Sequence, residues 1–125
     1  MVFNINMSTK SLETPVGVHL LVNVYNIPHI EKLEYLEQGL PLLNEIVNTL
    51  DLHVVAQAGH QFSPVGYTYA FILSESHFTI HTYPEHQTCF IDIFCCNPDF
   101  FPNYAVRLIQ RIFETETVRY QVIQR

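Results

Sequence analysis

Between residues 53 and 95 the chain contains four β-rich segments that follow one another with only short connections. Each is rich in β-branched and aromatic residues, and they cover residues 53–58, 66–73, 77–82 and 88–95. Antiparallel neighbours can be joined by a short turn, whereas parallel neighbours need a crossover of roughly a dozen residues or more. The sequence therefore predicts an antiparallel sheet at the centre of the fold.

A helical stretch opens at Pro28, after an earlier β-rich segment at residues 16–25. Its apolar residues recur at three- and four-residue steps, which is the spacing of one helix face. They are Leu33, Leu36, Leu40, Leu43, Val47 and Leu50. Gly39 and Pro41 interrupt the stretch, which predicts a kink or two consecutive helices at this point.

The last quarter of the chain contains one more helix and one more strand. The helix begins near Pro102 and extends to about Phe113, and residues 117–123 form the closing strand. The order β-α-β-β followed by β-β-α-β predicts a two-layer α/β sandwich, with a mainly antiparallel sheet and two helical segments on one face. We expect one domain over residues 16–125, preceded by a flexible polar leader at residues 1–15.

The composition indicates a folded chain with more apolar residues than one small core can bury. Apolar residues make up 48 % of the sequence and charged residues only 14 %, which argues against disorder. A chain of 125 residues builds a core of limited size. We therefore expect part of the apolar surface to be covered by a second copy of the chain, in a homodimer.

Charge and cysteine content limit the partners and the location. Six basic and twelve acidic residues give a net charge of −6, and the basic residues are scattered, which argues against nucleic-acid binding. An acidic surface favours cationic small molecules instead. No window is apolar enough for a membrane span, and no signal-peptide core is visible. Cys89, Cys95 and Cys96 fit neither a disulfide framework nor a paired-cysteine zinc site, which predicts a reducing, cytoplasmic location.

The segment with the most side chains suited to catalysis is residues 73–85, LSESHFTIHTYPE. His77 and His81 share one face of a strand but would lie roughly 13 Å apart, too far to bind one metal ion, so no metal site is expected. A serine hydrolase would need a G-x-S-x-G turn, which is missing, and a cysteine nucleophile lacks a local signature. From these residues alone, Ser76 could equally be a strand-end serine and the histidines ordinary residues of a half-exposed strand.

Four short motifs carry a resemblance to a known family. They are Gly17-x-His19-Leu20-Leu21, His60-x-Phe62-x-Pro64-x-Gly66, Ser74-Glu75-Ser76-His77-x-Thr79-Ile80-His81-Thr82-x-Pro84-Glu85 and Asp92-Ile93-Phe94-x-Cys96. In this order and spacing they resemble the prokaryotic S-adenosylmethionine decarboxylases, enzymes that cut themselves to make a pyruvoyl cofactor. The resemblance extends from about residue 16 to residue 124.

The resemblance implies a self-processing proenzyme. Ser76 would attack the carbonyl group of Glu75, which converts the peptide bond between them into an ester and then splits the chain. The products would be residues 1–75 and residues 76–125, and a pyruvoyl group would stand where Ser76 stood.

Three more residues match positions that support this chemistry in the family. His81 corresponds to the histidine that takes a proton during processing, a task that suits the unperturbed imidazole pKa. Thr68 keeps a hydroxyl group at a position that is implicated in processing. Cys96 corresponds to the cysteine that protonates the product carbon after carbon dioxide has left.

The remaining matches concern the substrate, which in the family is S-adenosylmethionine, decarboxylated to supply aminopropyl groups for spermidine. Phe62 would stack on the adenine ring or fill the core, and Glu85 would hold substrate or shape the turn after Pro84. Tyr69 stands where the family has almost no side chain, so its ring would narrow the substrate pocket. Two alternatives therefore stay open: a pyruvoyl-dependent decarboxylase of ornithine or arginine, and an uncleaved, non-catalytic homologue that binds a nucleoside or polyamine. The family also assembles its two active sites at a homodimer interface.

Overall fold

The computed structural model describes residues 15–125, so nearly all of the predicted leader lies outside the described residues. These residues form six strands and three helices, with a short 3-10 turn at Pro84–His86. In chain order these elements are β1 (Val18–Val24), α1 (Glu31–Glu34), α2 (Leu36–Thr49), β2 (Val54–Gln61), β3 (Tyr67–Leu73), β4 (Ser76–Tyr83), β5 (Thr88–Cys95), α3 (Pro102–Phe113) and β6 (Val118–Gln124).

All six strands belong to one sheet with the order β2-β3-β4-β5-β1-β6. Each neighbouring pair is antiparallel. The strands β2 to β5 are sequential neighbours, as their short connections predicted, whereas β1 inserts between β5 and β6. The predicted α/β fold with a mainly antiparallel sheet is confirmed.

Alternation along the strands gives the sheet one covered face and one open face. The covered face is packed against the helices, and its cross-strand neighbours Leu20, Ile93, Phe78 and Phe71 are essentially inaccessible to solvent. No helix of the described residues packs on the opposite side, which we call the open face. Its central residues are His19, Leu21, Thr68, Ala70, Ile72, His77, Thr79, His81, Phe90, Asp92 and Phe94.

The interruption of the first helical stretch lies at Tyr35, so the prediction that it lies at Gly39 and Pro41 is wrong. Tyr35 has extended backbone angles of φ −127° and ψ 126°, which separate α1 from α2. Gly39 is instead a packing position, because a Cβ atom there would collide with the ring of Tyr67. The hydroxyl group of Tyr67 passes this glycine to donate a 2.7 Å hydrogen bond to the carbonyl oxygen of Lys32.

Within residues 15–125, none of the helices is long and apolar enough to cross a membrane.

Candidate active site

The turn between β3 and β4 contains the bond that the sequence marks for cleavage. Ser74 and Glu75 form this turn, and Ser76 is the first residue of β4. Ser76 has φ 149°, a region that only glycine adopts readily and that costs other residues about 1–3 kcal/mol. The backbone is therefore strained at the residue that follows the Glu75–Ser76 bond.

Cys96 contacts both partners of this bond. Its backbone N–H donates a 3.0 Å hydrogen bond to the carbonyl oxygen of Glu75. Its Sγ atom lies 3.3 Å from the Oγ atom of Ser76. An N–H group aimed at the carbonyl oxygen stabilises the negative charge that this oxygen gains when a hydroxyl group attacks the carbon.

The side chain of Glu75 is bound by His53, which lies between α2 and β2. Nδ1 of His53 is 2.5 Å from Oε2 of Glu75, and the backbone N–H of His53 donates to Oε1 at 3.0 Å. Burial opposes ionisation of the Glu75 carboxyl group, but these hydrogen bonds outweigh burial and lower the pKa of Glu75. The same hydrogen bond, followed by the carboxylate charge, raises the pKa of His53. His53 is not among the site residues predicted from the sequence, although the pairing of Val54 with Leu73 places its neighbour in the chain next to this turn.

Thr68 and His81 form a second cluster on the open face. They are direct cross-strand partners on β3 and β4. The Oγ1 atom of Thr68 lies 2.9 Å from Nδ1 of His81. Both residues were predicted site residues, and the structure brings them together.

Ser76 and His81 do not lie together. They stand on the same strand, five positions apart, and a strand advances about 3.3 Å per residue, so ~16 Å separates their backbone positions. Direct proton transfer needs contact at hydrogen-bond distance. His81 therefore cannot reach Ser76 of its own chain.

The residues predicted to bind substrate lie near the second cluster, with one exception. Phe62 follows β2, is 48 % exposed and packs its ring against His60 at 4.7 Å between centroids. Glu85 is exposed in the 3-10 turn that follows β4. Tyr69 lies on the covered face, is 8 % exposed and donates a 2.7 Å hydrogen bond to Oε1 of Gln57. The ring of Tyr69 is therefore part of the core and does not lie on the open face with Thr68 and His81.

The predicted site residues thus fall into two groups at opposite ends of the central strands. The first, which we call the cleavage group, comprises Glu75, Ser76 and Cys96. The second, which we call the distal group, comprises Phe62, Thr68, His81 and Glu85. A single chain holds one copy of each group but does not bring the two groups into contact.

The chemistry of the cleavage group fits the formation of a pyruvoyl group. It contains a hydroxyl group on a residue with a strained φ angle, an N–H donor on the preceding carbonyl oxygen and a nearby thiol. Among residues 15–125 there is no set of three or more His, Cys, Asp or Glu side chains arranged to hold a metal ion. Backbone strain at a serine, next to a carbonyl group held by an N–H donor, favours transfer of the acyl group from nitrogen to oxygen, so the fold and the site are typical of the class of self-processing proenzymes.

Comparison with known proteins gives the family within this class. The family model for S-adenosylmethionine decarboxylase matches residues 18–125. The S-adenosylmethionine decarboxylase proenzyme of Clostridium botulinum is 38 % identical over 96 residues, which are 75 % of this chain and 80 % of that protein. The proenzyme of Persephonella marina is 30 % identical over 114 residues, which are 91 % of this chain and 85 % of that protein.

A solved structure agrees with these sequence matches. The crystal structure of the adenosylmethionine decarboxylase from Aquifex aeolicus has a TM-score of 0.80 to this chain at 29 % identity, and the match covers 90 % of this chain and 92 % of that chain. The chain belongs to the S-adenosylmethionine decarboxylase family. The prediction from the sequence, of a self-processing pyruvoyl-dependent decarboxylase of this family, is confirmed at the level of the family.

Proposed function

We propose that this chain is a proenzyme that cuts itself between Glu75 and Ser76 and then decarboxylates S-adenosylmethionine, which supplies aminopropyl groups for polyamine synthesis. The observation that carries the proposal is the strained φ of Ser76 beside a Glu75 carbonyl oxygen that accepts the N–H of Cys96. Strain raises the energy of the uncut chain, and the N–H stabilises the oxyanion that forms on the way to cleavage.

Cleavage proceeds through an ester. The Oγ atom of Ser76 attacks the carbonyl carbon of Glu75, the C–N bond breaks, and the nitrogen takes the proton that the hydroxyl group gives up. A base then removes the α-proton of Ser76, the bond between Cβ and Oγ breaks, and Oγ leaves as part of the new C-terminal carboxylate of Glu75. Water replaces the nitrogen of the resulting dehydroalanine, ammonia departs, and a pyruvoyl group remains at the start of residues 76–125.

The pyruvoyl carbonyl group supplies the electron sink that decarboxylation of an α-amino acid requires. Cys96 is the candidate proton donor to the product carbon, because its thiol lies 3.3 Å from Oγ of Ser76, the residue that is converted into the pyruvoyl group. Phe62 offers an exposed aromatic ring for the adenine, and Glu85 offers a carboxylate for the positively charged substrate. The alternative of ornithine or arginine rested on the acidic charge of the chain and on a pocket narrowed by Tyr69, and the core position of Tyr69 weakens the second of these two arguments.

The active enzyme in this proposal is a homodimer in which each site combines the cleavage group of one chain with the distal group of the other. Two observations support it. One chain separates the two groups by the length of a strand, and the open face exposes large apolar side chains, among them Ile72 at 56 %. A two-fold axis between two open faces pairs opposite ends of the sheets and generates two equivalent sites. His81 then acts as the base on Ser76 of its partner.

We assign the activity to the cytoplasm, because Cys89 and Cys95 are free thiols buried in the core. A reducing compartment keeps such thiols in the reduced form.

Mass spectrometry and an activity panel test the proposal. The purified protein should consist of residues 1–75 and a 50-residue fragment that is lighter than a serine-started peptide by one ammonia. Carbon dioxide should be released from S-adenosylmethionine and not from ornithine or arginine. An intact chain after long incubation at neutral pH would favour the uncleaved binding homologue, and release from ornithine or arginine alone would favour that substrate class.

A further inference from the structure

His53 is a residue outside the matched motifs that binds both residues preceding the cleavage bond. Its carbonyl oxygen accepts a 2.8 Å hydrogen bond from the backbone N–H of Ser74. Its backbone N–H donates to Oε1 of Glu75 at 3.0 Å, and its ring Nδ1 lies 2.5 Å from Oε2. One residue, 22 positions earlier in the chain, therefore makes three contacts with the β3–β4 turn.

These contacts complete the fixation of Glu75. Its carboxylate is held by His53 and its carbonyl oxygen by the N–H of Cys96. The Glu75 side chain is only 12 % exposed, whereas the His53 side chain is 61 % exposed. Any movement of Glu75 away from this position breaks hydrogen bonds of its carboxylate, its carbonyl oxygen or both.

We propose that His53 is a positioning residue for self-cleavage, which holds Glu75 so that its carbonyl carbon stays within reach of the Ser76 hydroxyl group. The inference rests on the proposed function, since it concerns the rate of that cleavage. His53 touches the side chain of Glu75 and not the reacting atoms, so it acts through Glu75. It is also distinct from His81, which belongs to the distal group.

The position predicts a dependence on pH. The groups that face His53 are Glu75 in the turn and Asp51 in its own connection, with Oδ1 of Asp51 3.9 Å from Nε2. Cys95 at the end of β5 also senses the Glu75 charge, and burial raises the pKa of this thiol. The hydrogen bond with Glu75 raises the pKa of His53, and the net effect on Glu75 is a lowered pKa.

The direction of the pH dependence follows from the raised pKa of His53 and the lowered pKa of Glu75. The contact is strongest between the two pKa values, where His53 is protonated and Glu75 is ionised. As the pH rises through the raised pKa of His53, the positive charge is lost, although a neutral ring can still donate one hydrogen bond. The advantage of His53 over an uncharged residue therefore decreases at alkaline pH.

The experiment follows the appearance of the 50-residue fragment on denaturing gels after cell-free synthesis of the full chain. His53→Ala removes the ring contact, and His53→Asn places an amide donor near the Nδ1 position but cannot be charged. The matched control is His29→Ala, which removes another exposed histidine–carboxylate contact, 3.2 Å to Glu114, far from the turn. Folding is compared by thermal unfolding of the same variants on a Ser76→Ala background, which cannot cleave.

At about pH 6, where histidine is largely protonated, His53→Ala should cleave about twofold to fivefold more slowly than wild type, the range for a partly exposed ion pair. His53→Asn should recover part of this loss, and the wild-type to Asn rate ratio should decrease towards one at about pH 9. His29→Ala should cleave at the wild-type rate.

Two results would overturn the inference while leaving the proposed function in place. One is a His53→Ala rate equal to wild type at every pH. The other is a loss that Asn does not rescue, does not vary with pH and parallels a loss of thermal stability, because His53 would then act only on folding. If His53→Ala does not fold, the inference is tested by the ratio of the wild-type cleavage rate to the His53→Asn rate at the two pH values. A wild-type chain that stays whole would overturn both the inference and the proposed function.

Discussion

Ser76 and His81 lie on the same strand, five positions apart, and the strand holds them ~16 Å from each other. A nucleophile and the base that serves it cannot work across that distance. The strand therefore places the nucleophile and the base far apart, although both belong to one short sequence motif. If both residues are needed for cleavage, they must come from different chains.

Complementation between two inactive variants tests this directly. Neither His81→Ala nor Ser76→Ala should cleave when expressed alone, because every dimer then lacks either the base or the nucleophile. In a mixed dimer, the His81→Ala chain keeps its Ser76 and receives His81 from its partner. One-to-one co-expression should therefore restore cleavage to about half of the His81→Ala chains, the fraction that random pairing puts in mixed dimers.

Size and tags make the outcome unambiguous. Differently tagged chains show on a denaturing gel which of them is cut, and only the His81→Ala chain should be. Cleavage of His81→Ala on its own would mean that His81 is not the base. Absence of cleavage in dimers shown to be mixed would place the base elsewhere than on the partner.

Cys96 should separate cofactor formation from catalysis. Cys96→Ala removes the thiol that lies 3.3 Å from Ser76 Oγ but keeps the backbone N–H that binds the Glu75 carbonyl oxygen. Cleavage should therefore continue at least in part. Carbon dioxide release per cleaved site should decrease about a hundredfold or more, the usual effect of losing a positioned proton donor. Equal turnover by the two proteins, normalised to cleaved chain, would remove Cys96 from the catalytic role.

Phe62 should affect substrate affinity and leave cleavage unchanged. Its ring is exposed beside His60, away from the cleavage group. Loss of stacking on a flat adenine ring costs roughly 0.5–1.5 kcal/mol, about a twofold to tenfold increase in KM. Steady-state kinetics of Phe62→Ala measure this, with Phe101→Ala as the control because Phe101 is also exposed but precedes α3. An unchanged KM would leave Phe62 without a role in binding.

The sequence was sufficient for the elements and the motif, because both are encoded locally. Period-two and three-to-four-residue patterns gave the strands and helices to within a few residues, and short connections gave the antiparallel pairing. The position of the helix interruption was not predictable in this way. Gly39 looked like a helix breaker, but its role is to admit the ring of Tyr67, a contact between residues far apart in the chain.

The site was predictable as a set of residues but not as an arrangement. Alternation along β3 puts Thr68 and Tyr69 on opposite faces of the sheet. The resemblance to the family did not predict which of these faces bears the site residues. The contact of His53 with the turn could not be predicted from the sequence for a similar reason. Its contact with Glu75 depends on the β2–β3 register, which contains an irregularity between Val54 and Ala56.

Tyr69 provides the last prediction, because its position in the core predicts an effect on stability and not on substrate choice. Its ring packs against Phe71 at 5.0 Å between centroids, and its hydroxyl group donates to Gln57. Tyr69→Phe should lose that hydrogen bond and about 0.5–1.5 kcal/mol of the free energy of unfolding. Tyr69→Gly should lose about 3–5 kcal/mol or more, because it empties the ring's volume in a packed core.

Urea unfolding on a Ser76→Ala background, at one protein concentration, measures both losses without interference from cleavage. The ratio of kcat/KM for S-adenosylmethionine to that for ornithine should be the same in Tyr69→Phe as in wild type, because the ring stays on the covered face. Suppose that Tyr69→Gly remained as stable as wild type and shifted that ratio instead. The ring would then line the substrate site in the assembled enzyme, and the argument for ornithine or arginine as substrate would regain its support.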